Sequence, residues 1–441
     1  MVDSGIRYGG LAGSGTSSER RLITGYLGPA CLAWAIWVLR TASQRGMKRL
    51  YFVSRDGFLA WRCAAALQPS FGIDCRYLMI SRQALLPAVT TGVGREDLPW
   101  LLAKWDRPRL SLLAARLDLK FEECGPELRR LATLRDPDAT LGGNDLRQFW
   151  SALNEPATTR HILRRFAEQR ARATCYLQQE GLFDHEVAWA LVDLGWHLSV
   201  QQALNRLVPQ EVQAQGLYVY LSPDRAPPST TGPAFAMFPH GLDAEQVGAR
   251  PTVAKAVLVS EHILGLAPHG PVLGYHQDGG LWTGTCQSLP PGGVAWRRNM
   301  ADLLDEFVAE HVTRFLGALS DPADCAVLFE ESTASLLSAP DRIAVRCLAE
   351  HVTISSDHHD QAPIARPFTL AEAARFLWQT LRAAKFSPGV PWPEGCAAVS
   401  SPAVRGLLRL RAGVARCRSF IGAIRRRWRA TGLSQPSNPR I

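Results

Sequence analysis

The sequence lacks the cysteine patterns of exported and metal-binding proteins. Its ten cysteines, spread over 441 residues, include no Cys-x-x-Cys pair, and scattered single thiols form neither a zinc motif nor a disulfide framework. We therefore expect buried cysteines in a reducing compartment. Residues 1–21 are polar and rich in glycine and serine, without the charged-then-apolar order of a secretory signal. They predict a disordered amino-terminal segment and a cytoplasmic protein.

Long hydrophobic runs are also scarce. The run that approaches the length needed to cross a bilayer, about 20 residues, extends from Leu22 to Leu39 without a charge. Two glycines and Pro29 interrupt its first half, and Pro29 suits the first turn of a shorter helix that ends near Ala42. We expect a buried helix here rather than a membrane span.

Acidic residues are absent from the last part of the chain. Residues 402–441 contain ten arginines and no Asp or Glu, whereas the rest of the chain has 39 basic and 40 acidic residues. A neutral body does not predict a basic groove for nucleic acid. Between residues 405 and 429, apolar residues recur at three- and four-residue steps, and nine arginines lie in the same span.

This pattern predicts a basic amphipathic tail over residues 401–441. Its candidate partner is an anionic membrane surface, which would place the protein peripherally on the inner face of the membrane. Packing of the tail on the protein's own core and contact with RNA are the alternatives.

The chain has enough apolar sequence for a large core. It is 46% hydrophobic and 20% charged, which excludes overall disorder and fits two domains or one large domain with helical additions. A β-forming run at Leu50–Val53, an alanine-rich helical stretch and a second run at Cys75–Ile80 predict a strand–helix–strand unit with parallel strands. A second such unit lies between residues 185 and 221. We therefore predict an α/β fold with a parallel Rossmann-like sheet.

The helical patterns between and after these units predict the domain organisation. Residues 22–230 form the Rossmann-like α/β domain, with a helical insertion at about 95–181. A loop rich in proline, serine and threonine, Pro223–Pro239, marks an internal boundary. Residues 231–400 then form a largely helical second region.

Polar residues follow three of the predicted strands. In a parallel sheet, ligands bind at the carboxyl ends of strands, where helix N-termini offer free N–H groups, and arginine can hold a phosphate bidentately. These segments therefore predict a site for a phosphorylated ligand. Its candidate catalytic residues are Asp56 and Asp193, and its candidate substrate-binding residues are Ser54, Arg55, Ser81, Arg82, Trp196 and Gln201.

Each of these residues also has a structural explanation. Asp56 could be a helix N-cap, and Asp193 could cap the helix that starts near Ser199. Arg55 and Arg82 could be ordinary surface residues. The location of these residues at successive strand ends is what favours a common site.

Four segments resemble a known group of proteins. YFVSRDGFL, YLMISRQALLP, VDLGWHLSVQQAL with GLYVYL, and SEHILGLAPHGPVLGY are similar to the carboxyl-terminal half of bacterial predicted hydrolases of the HAD (haloacid dehalogenase-like) superfamily, which are commonly associated with cell-surface polysaccharide synthesis. The resemblance covers about Gly25 to Leu410. It implies a HAD-like sheet, a phosphorylated sugar or sugar nucleotide as ligand, Mg²⁺ as a candidate cofactor and glycosyltransferases of the same pathway as candidate partners.

The chain departs from that group in its catalytic motif. Longer members carry an amino-terminal HAD unit with a two-aspartate motif, whose first aspartate forms a phospho-aspartate on Mg²⁺. No DxDGT sequence occurs in this chain, so we expect this unit to be absent from it. The segment from Ser54 to Leu59 has the spacing of the motif, with Ser at the nucleophile position and Phe where Thr usually stands. A neutral hydroxyl attacks phosphorus poorly without a neighbouring base.

This departure leaves the reaction open. Asp56 could still act as a general acid or base, and Asp193 could supply one ligand to Mg²⁺. A hydrolase with a degenerate nucleophile motif is therefore one hypothesis. The alternatives are a non-catalytic accessory module that docks a lipid-linked sugar phosphate or a glycosyltransferase, and a glycosyltransferase-like enzyme.

The last matching segment contains a second candidate cluster, Glu261, His262 and His269. An imidazole near a carboxylate can transfer protons at neutral pH. On a helix and in a Pro-Gly loop, however, the same residues are often structural.

Overall fold

Apolar runs of five or six residues form one parallel sheet. The computed structural model describes residues 17–102, 108–238, 257–355, 361–381, 392–411 and 413–414. Its main sheet has the strand order β2-β1-β3-β4-β5, and every pairing is parallel. The strands are β1 (Arg49–Val53), β2 (Asp74–Leu78), β3 (Trp189–Asp193), β4 (Gln215–Tyr220) and β5 (Ala234–Phe238). The prediction of an α/β fold with a parallel sheet is confirmed.

Helices cover both faces of this sheet. They are α1 (Ser18–Leu22), α2 (Gly28–Gln44), α3 (Phe58–Phe71), α4 (Arg82–Val89), α5 (Leu110–Leu117), α6 (Pro126–Leu134), α7 (Gly143–Leu153), α8 (Pro156–Gln179), α9 (Ser199–Asn205), α10 (Pro228–Thr231), α11 (Val257–Leu264), α12 (Pro291–Ala318), α13 (Pro322–Ser338), α14 (Arg342–His351), α15 (Leu370–Leu381) and α16 (Pro393–Val399). A π-helical turn, Ile23–Leu27, joins α1 to α2. Because both faces are covered, the central strands are largely apolar, and every residue of β3 is buried, including Asp193 at its end.

Alternate residues of each strand enter different cores. Leu50 and Phe52 of β1 pack with α2, α3 and the carboxyl-terminal helices, whereas Tyr51 and Val53 pack with α4, α8 and α9. This alternation follows from the two-residue period of a strand. The sheet therefore fixes the position of the turn that follows Val53.

The apolar segment near the amino terminus is a buried helix, as predicted. Ser18–Gln44 is long and apolar enough to cross a membrane, but the residues from Pro29 to Leu39 are all buried in the protein core. The expectation of disorder up to residue 21 is wrong for its last residues, because the Ser17 side chain caps α1 and starts the helix. Residues 1–16 lie outside the described part of the chain.

The helical insertion has a small core of its own. Leu113, Leu128, Phe149 and Phe166, from α5 to α8, belong to one hydrophobic cluster separate from the sheet. The long helical stretch in this part of the sequence is divided, because Pro156 starts a new helix at its first turn.

The predicted boundary near residue 230 is not where the sheet ends. Ala234–Phe238, inside the predicted loop, pairs with β4 as the edge strand β5. The helices after residue 257 share one hydrophobic core with α2, α3 and the sheet, so residues 231–400 do not form a separate core. Flanking prolines and threonines concealed the short apolar run AFAMF.

A hairpin also interrupts the region expected to be helical. It consists of β6 (Val272–Asp278) and β7 (Leu281–Cys286), which pair antiparallel. A second, smaller antiparallel pair consists of β8 (Thr353–Ser355) and β9 (Gln361–Pro363). Gly279 and Gly280 join the first pair, both with positive φ. A Gly-Gly pair between two β-forming runs is a hairpin signal.

The basic tail is described only at its start. Residues 402–411 are helical, and Val404 and Leu408 are buried. The Arg411 guanidinium lies 3.6 Å from the centre of the Phe376 ring, so this part packs on the protein itself. Residues 412 and 415–441 lie outside the described residues, and contact of residues 405–429 with a membrane stays a prediction.

The described cysteines are free thiols. None of these nine residues forms a disulfide, and all are buried except Cys175 and Cys286. Their burial agrees with the expectation from their spacing.

Candidate functional site

The direction in which the chain adds strands reverses between β1 and β3. The chain leaves β1 toward β2 on one side, whereas β3, β4 and β5 continue on the other. In doubly wound sheets, the point where the order reverses is where ligands bind, outside the carboxyl ends of the strands. The residues after Val53 and the end of β3 at Asp193 border this point.

The turn between β1 and α3 holds Arg55 in an unusual conformation. Its φ of 68° is left-handed, which is uncommon for a residue other than glycine. The Arg55 backbone N–H donates to the Tyr77 hydroxyl at 2.8 Å, and that hydroxyl lies 2.9 Å from His269 Nε2. The turn is thus fixed from β2 and from the loop after α11.

His269 acts on this turn through Tyr77. Its Nδ1 lies 2.7 Å from the Gly270 carbonyl, which can only accept, so we assign the ring proton to Nδ1 and let Nε2 accept from Tyr77. Burial lowers the pKa of His269, and the charges of Arg55 and Arg297 lower it further. A neutral His269 suits this arrangement. The structure therefore gives His269 a positioning role rather than a place among the acidic groups.

Three acidic side chains form a group beside this turn, Asp56, Asp193 and Glu261. Burial raises the pKa of Asp56 although the charges of Arg55 and Arg82 oppose it. Burial raises the pKa of Asp193 strongly, and the neighbouring charges of Asp56 and Glu261 add to the effect. Burial and the Asp56 charge raise the pKa of Glu261 to about 7. We call these three residues the acidic cluster.

The structural explanations for the two aspartates do not apply. Gly57 is the N-cap of α3 and Leu198 is the N-cap of α9, and neither helix has a side-chain cap bond. Asp193 Oδ1 accepts the N–H of Leu194 at 2.8 Å. Neither aspartate therefore caps the helix for which it was the candidate.

Arginines adjoin the acidic cluster. Arg82 is the first residue of α4 and is exposed. Its charge lowers the pKa of all three cluster members, whereas Arg55 acts on Asp56 and Glu261. The structure thus brings Arg55, Arg82 and the acidic cluster to one end of the sheet.

Trp196 places a polar group in the same region. It is buried and stacks on Tyr220, with ring centres 5.4 Å apart and planes 6° apart. Its indole N–H acts on the Glu261 carboxyl and lowers the pKa of Glu261, against the larger effect of burial. Gly195 permits this placement, because a Cβ there would lie 2.3 Å from the Tyr220 carbonyl oxygen.

The loop after α11 closes the other side of the site. A Cβ at Gly265 would lie 3.0 Å from Asp56 Oδ1 and 2.5 Å from the Glu261 carbonyl oxygen, so a larger residue would displace Asp56. Arg297 of α12 holds this loop, since its Nη1 donates to the carbonyls of Gly265 and Ala267 at 3.3 and 3.2 Å. Sequence reasoning missed Arg297, because no strand-end motif marks it.

Two serines and a glutamine predicted to bind substrate belong to the framework instead. Ser54 donates to the Ile80 carbonyl at 2.6 Å. Ser81 donates to the Val272 carbonyl at 2.5 Å and caps α4. The Gln201 side chain is fully buried and bonded to Ala214, Thr231, Pro233 and Tyr218. Each prediction is corrected, because these polar groups are already used by backbone or side-chain partners.

The remaining prediction concerns a metal ion. Three acidic groups with raised pKa values form a setting that a divalent cation would relieve. In the part of the chain that the structure describes, however, no three His, Cys, Asp or Glu side chains come together as metal ligands do. The described residues do not fit a dedicated Mg²⁺ site on Asp193. His262 lies in the last turn of α11, and its function stays a prediction.

Comparison with known proteins leaves the function to be argued from this geometry. No protein-family model matches the chain, and no curated protein sequence matches it either.

Proposed function

We propose that this is a HAD-like cytoplasmic protein that binds a phosphorylated sugar or sugar nucleotide, and acts on it, in cell-surface polysaccharide synthesis. The observation that carries the proposal is the acidic cluster beside Arg55 and Arg82 at the reversal point of the sheet. Buried ionisable groups with shifted pKa values at such a point are typical of functional sites. The resemblance of the SRDG and DLGW segments supports the choice of ligand.

The chemistry that these residues support is acid–base hydrolysis of a phosphate ester. One ionised carboxylate takes a proton from water as its oxygen bonds to phosphorus. A protonated carboxyl group gives its proton to the sugar oxygen as the P–O bond breaks. Glu261, with a pKa of about 7, can hold or release a proton at neutral pH. Asp56 and Asp193 are the other candidates for the roles of general base and general acid.

Ser54 does not act as the nucleophile in this scheme. Its hydroxyl proton is donated to the Ile80 carbonyl, and the side chain is buried. A phosphoseryl intermediate would require this bond to break. Water is therefore the attacking group, and arginine holds the phosphate while it reacts.

The test is phosphate release from a panel of sugar phosphates and sugar nucleotides, with Mg²⁺ and with a chelator. We expect the Asp56→Asn variant to lose release by about 10²- to 10⁴-fold, the usual contribution of a general acid or base. Asp74→Asn, at the opposite end of the same sheet, is the matched control and should keep its activity. Equal activity of Asp56→Asn and wild type would overturn the catalytic assignment.

A non-catalytic docking module is the second candidate. Two observations favour it: the hydroxyl at the nucleophile-like position is used by the framework, and no metal-ligand group occurs among the described residues. Such a module would bind the phosphorylated compounds of the same panel in calorimetry and release no phosphate. Release that depends on Asp56 would reject it.

A further inference from the structure

Two arginines, Arg55 and Arg297, adjoin the loop after α11. Arg55 belongs to the turn after β1, and Arg297 belongs to α12. Arg297 bonds to the Gly265 carbonyl, and a Cβ at Gly265 would lie 3.7 Å from the Arg55 carbonyl carbon and 3.0 Å from Asp56 Oδ1. Arg297 is therefore attached to the loop segment that packs directly on Arg55 and Asp56.

Neither of these two guanidinium groups forms an ion pair with a described residue, although both side chains are half-buried. The charge of Arg55 acts on Asp56 and Glu261, whereas Arg297 has no such carboxyl partner among the described residues. Burial lowers the pKa of Arg297 to about 10, and the charge of Arg55 contributes. Holding two positive groups together away from water is unfavourable unless an anion joins them.

Support of the loop does not use all of Arg297. The bonds to Gly265 and Ala267 come from Nη1 alone, and a guanidinium has five N–H donors. Nε and Nη2 have no acceptor among the residues that the structure describes, so they can bind another acceptor. Two arginines with free donors are well suited to the oxygens of a phosphate group.

Arg82 occupies a different position. Its charge acts on Asp193 as well as on Asp56 and Glu261, whereas Arg55 acts on His269 and Arg297. Arg82 thus reaches the acidic cluster from the first residue of α4, after β2, whereas Arg55 and Arg297 adjoin the loop after α11. A single phosphate would engage one of these positions.

We propose that Arg55 and Arg297 form a second anion position, separate from Arg82, and that the ligand of this site carries a diphosphate group. This inference rests on the proposed function and narrows its ligand to diphosphate esters. Nucleoside diphosphate sugars and lipid-linked sugar diphosphates share this chemistry. A sugar monophosphate would leave the second position empty.

The test is calorimetric titration of the full chain with orthophosphate, pyrophosphate, UDP and geranyl diphosphate. We expect pyrophosphate to bind at least about tenfold more tightly than orthophosphate, because one or more additional charge-assisted hydrogen bonds contribute a gain in affinity of about this size. Arg297→Gln should weaken pyrophosphate binding by about tenfold to hundredfold and orthophosphate binding by less than about threefold. Tighter binding of UDP or of geranyl diphosphate would then identify the source of the diphosphate.

Arg298→Gln is the matched control, because Arg298 is the next residue of α12 and is exposed. If Arg297→Gln fails to fold, Arg55→Gln replaces it, since the Arg55 guanidinium forms no hydrogen bond or ion pair within the described chain. Equal affinity for orthophosphate and pyrophosphate, or equal losses in Arg297→Gln and Arg298→Gln, would overturn the second anion position. Asp56-dependent release from sugar monophosphates would then still support the proposed function. Failure of every phosphorylated probe to bind would overturn both.

Discussion

The two ends of the sheet carry the same kinds of side chain and use them in opposite ways. At the amino end, Arg49 and Arg76 both donate to Asp74 Oδ2 at 2.8 Å. The Glu180 carbonyl accepts from Tyr51 at 2.7 Å and from Arg76 at 2.9 Å. The aspartate at this end is held by two arginines, and the tyrosine hydroxyl has a backbone partner.

At the carboxyl end, comparable groups are brought together without forming ion pairs with one another among the described residues. Among the described residues, no ion pair joins Arg55, Arg82 or Arg297 to the acidic cluster, and burial raises the pKa of each cluster member. A protein stabilised only by its own contacts would not keep such an arrangement. This difference supports the proposal that the charged groups at the carboxyl end bind a ligand, whereas those at the amino end stabilise the fold.

The largest expected contrast comes from removing one aspartate charge at each end. Asp193→Asn should raise the free energy of unfolding at pH 8 by about 1–2 kcal/mol, as substitutions at strained functional sites often do, because burial beside Asp56 and Glu261 raises the pKa of Asp193 and makes its ionisation unfavourable in the folded state. The new amide oxygen can still accept the Leu194 N–H. Asp74→Asn should lower the free energy of unfolding by about 1 kcal/mol, since its partly exposed ion pairs are lost.

Urea denaturation of both variants at pH 8 and pH 4 measures this contrast. The folded-state pKa of Asp193 is raised, so its ionisation destabilises the protein as pH increases, and the gain from Asp193→Asn should shrink at pH 4. A loss of stability in Asp193→Asn as large as in Asp74→Asn would remove the distinction between the two ends.

A smaller contrast is expected from the two tyrosine hydroxyls. Tyr77→Phe removes the acceptor of the Arg55 N–H and the donor to His269, so the free energy of unfolding should fall by about 1–2 kcal/mol and pyrophosphate binding should weaken. Tyr51→Phe removes the bond to the Glu180 carbonyl and the acceptor of a 3.4 Å bond from Arg49 Nη1, and it should cost a similar or smaller amount of stability without changing affinity. Calorimetry and urea denaturation give both quantities. Weaker binding in Tyr51→Phe as well would show that the effect is not local to the site.

The sequence predicts the two strand–helix–strand units because their apolar runs are short and continuous. Their parallel pairing then places Asp56 and Asp193 at one end of the sheet. It does not predict β5, since the run AFAMF lies between prolines, or the hairpin of β6 and β7, which has only the Gly-Gly pair as a signal. Patterns of five or six residues are too weak to distinguish an edge strand from a loop.

Site residues could be predicted from the sequence where they directly follow a strand, but not where tertiary packing brings them to the site. Arg55 and Arg82 follow predicted strands, so topology alone brings them near Asp193. Ser54 and Gln201 follow the same rule and fail, because their hydrogen bonds to backbone carbonyls depend on neighbours distant in sequence. Arg297 reaches the site from a helix whose position is set by the hydrophobic core, and no local pattern reveals that.

The smallest effect concerns the pH dependence of stability. The pKa of Glu261 is raised from 4.5 to about 7, so the folded state binds the proton more tightly, and stability falls as pH rises through this window. His269 has the opposite sign: its pKa is lowered from 6.5, so its contribution is lost as pH falls below about 6.5 and is constant above it. Between pH 6.5 and 8, Glu261→Gln should therefore reduce the decline in stability, by less than about 1 kcal/mol because Glu261 is half-buried. Urea denaturation at half-unit pH steps measures how the free energy of unfolding changes with pH. Glu350→Gln, on the exposed surface of α14, is the control. Identical slopes in both variants would mean that the pKa of Glu261 is not raised, and that Glu261 does not differ from the paired carboxylates of the amino end.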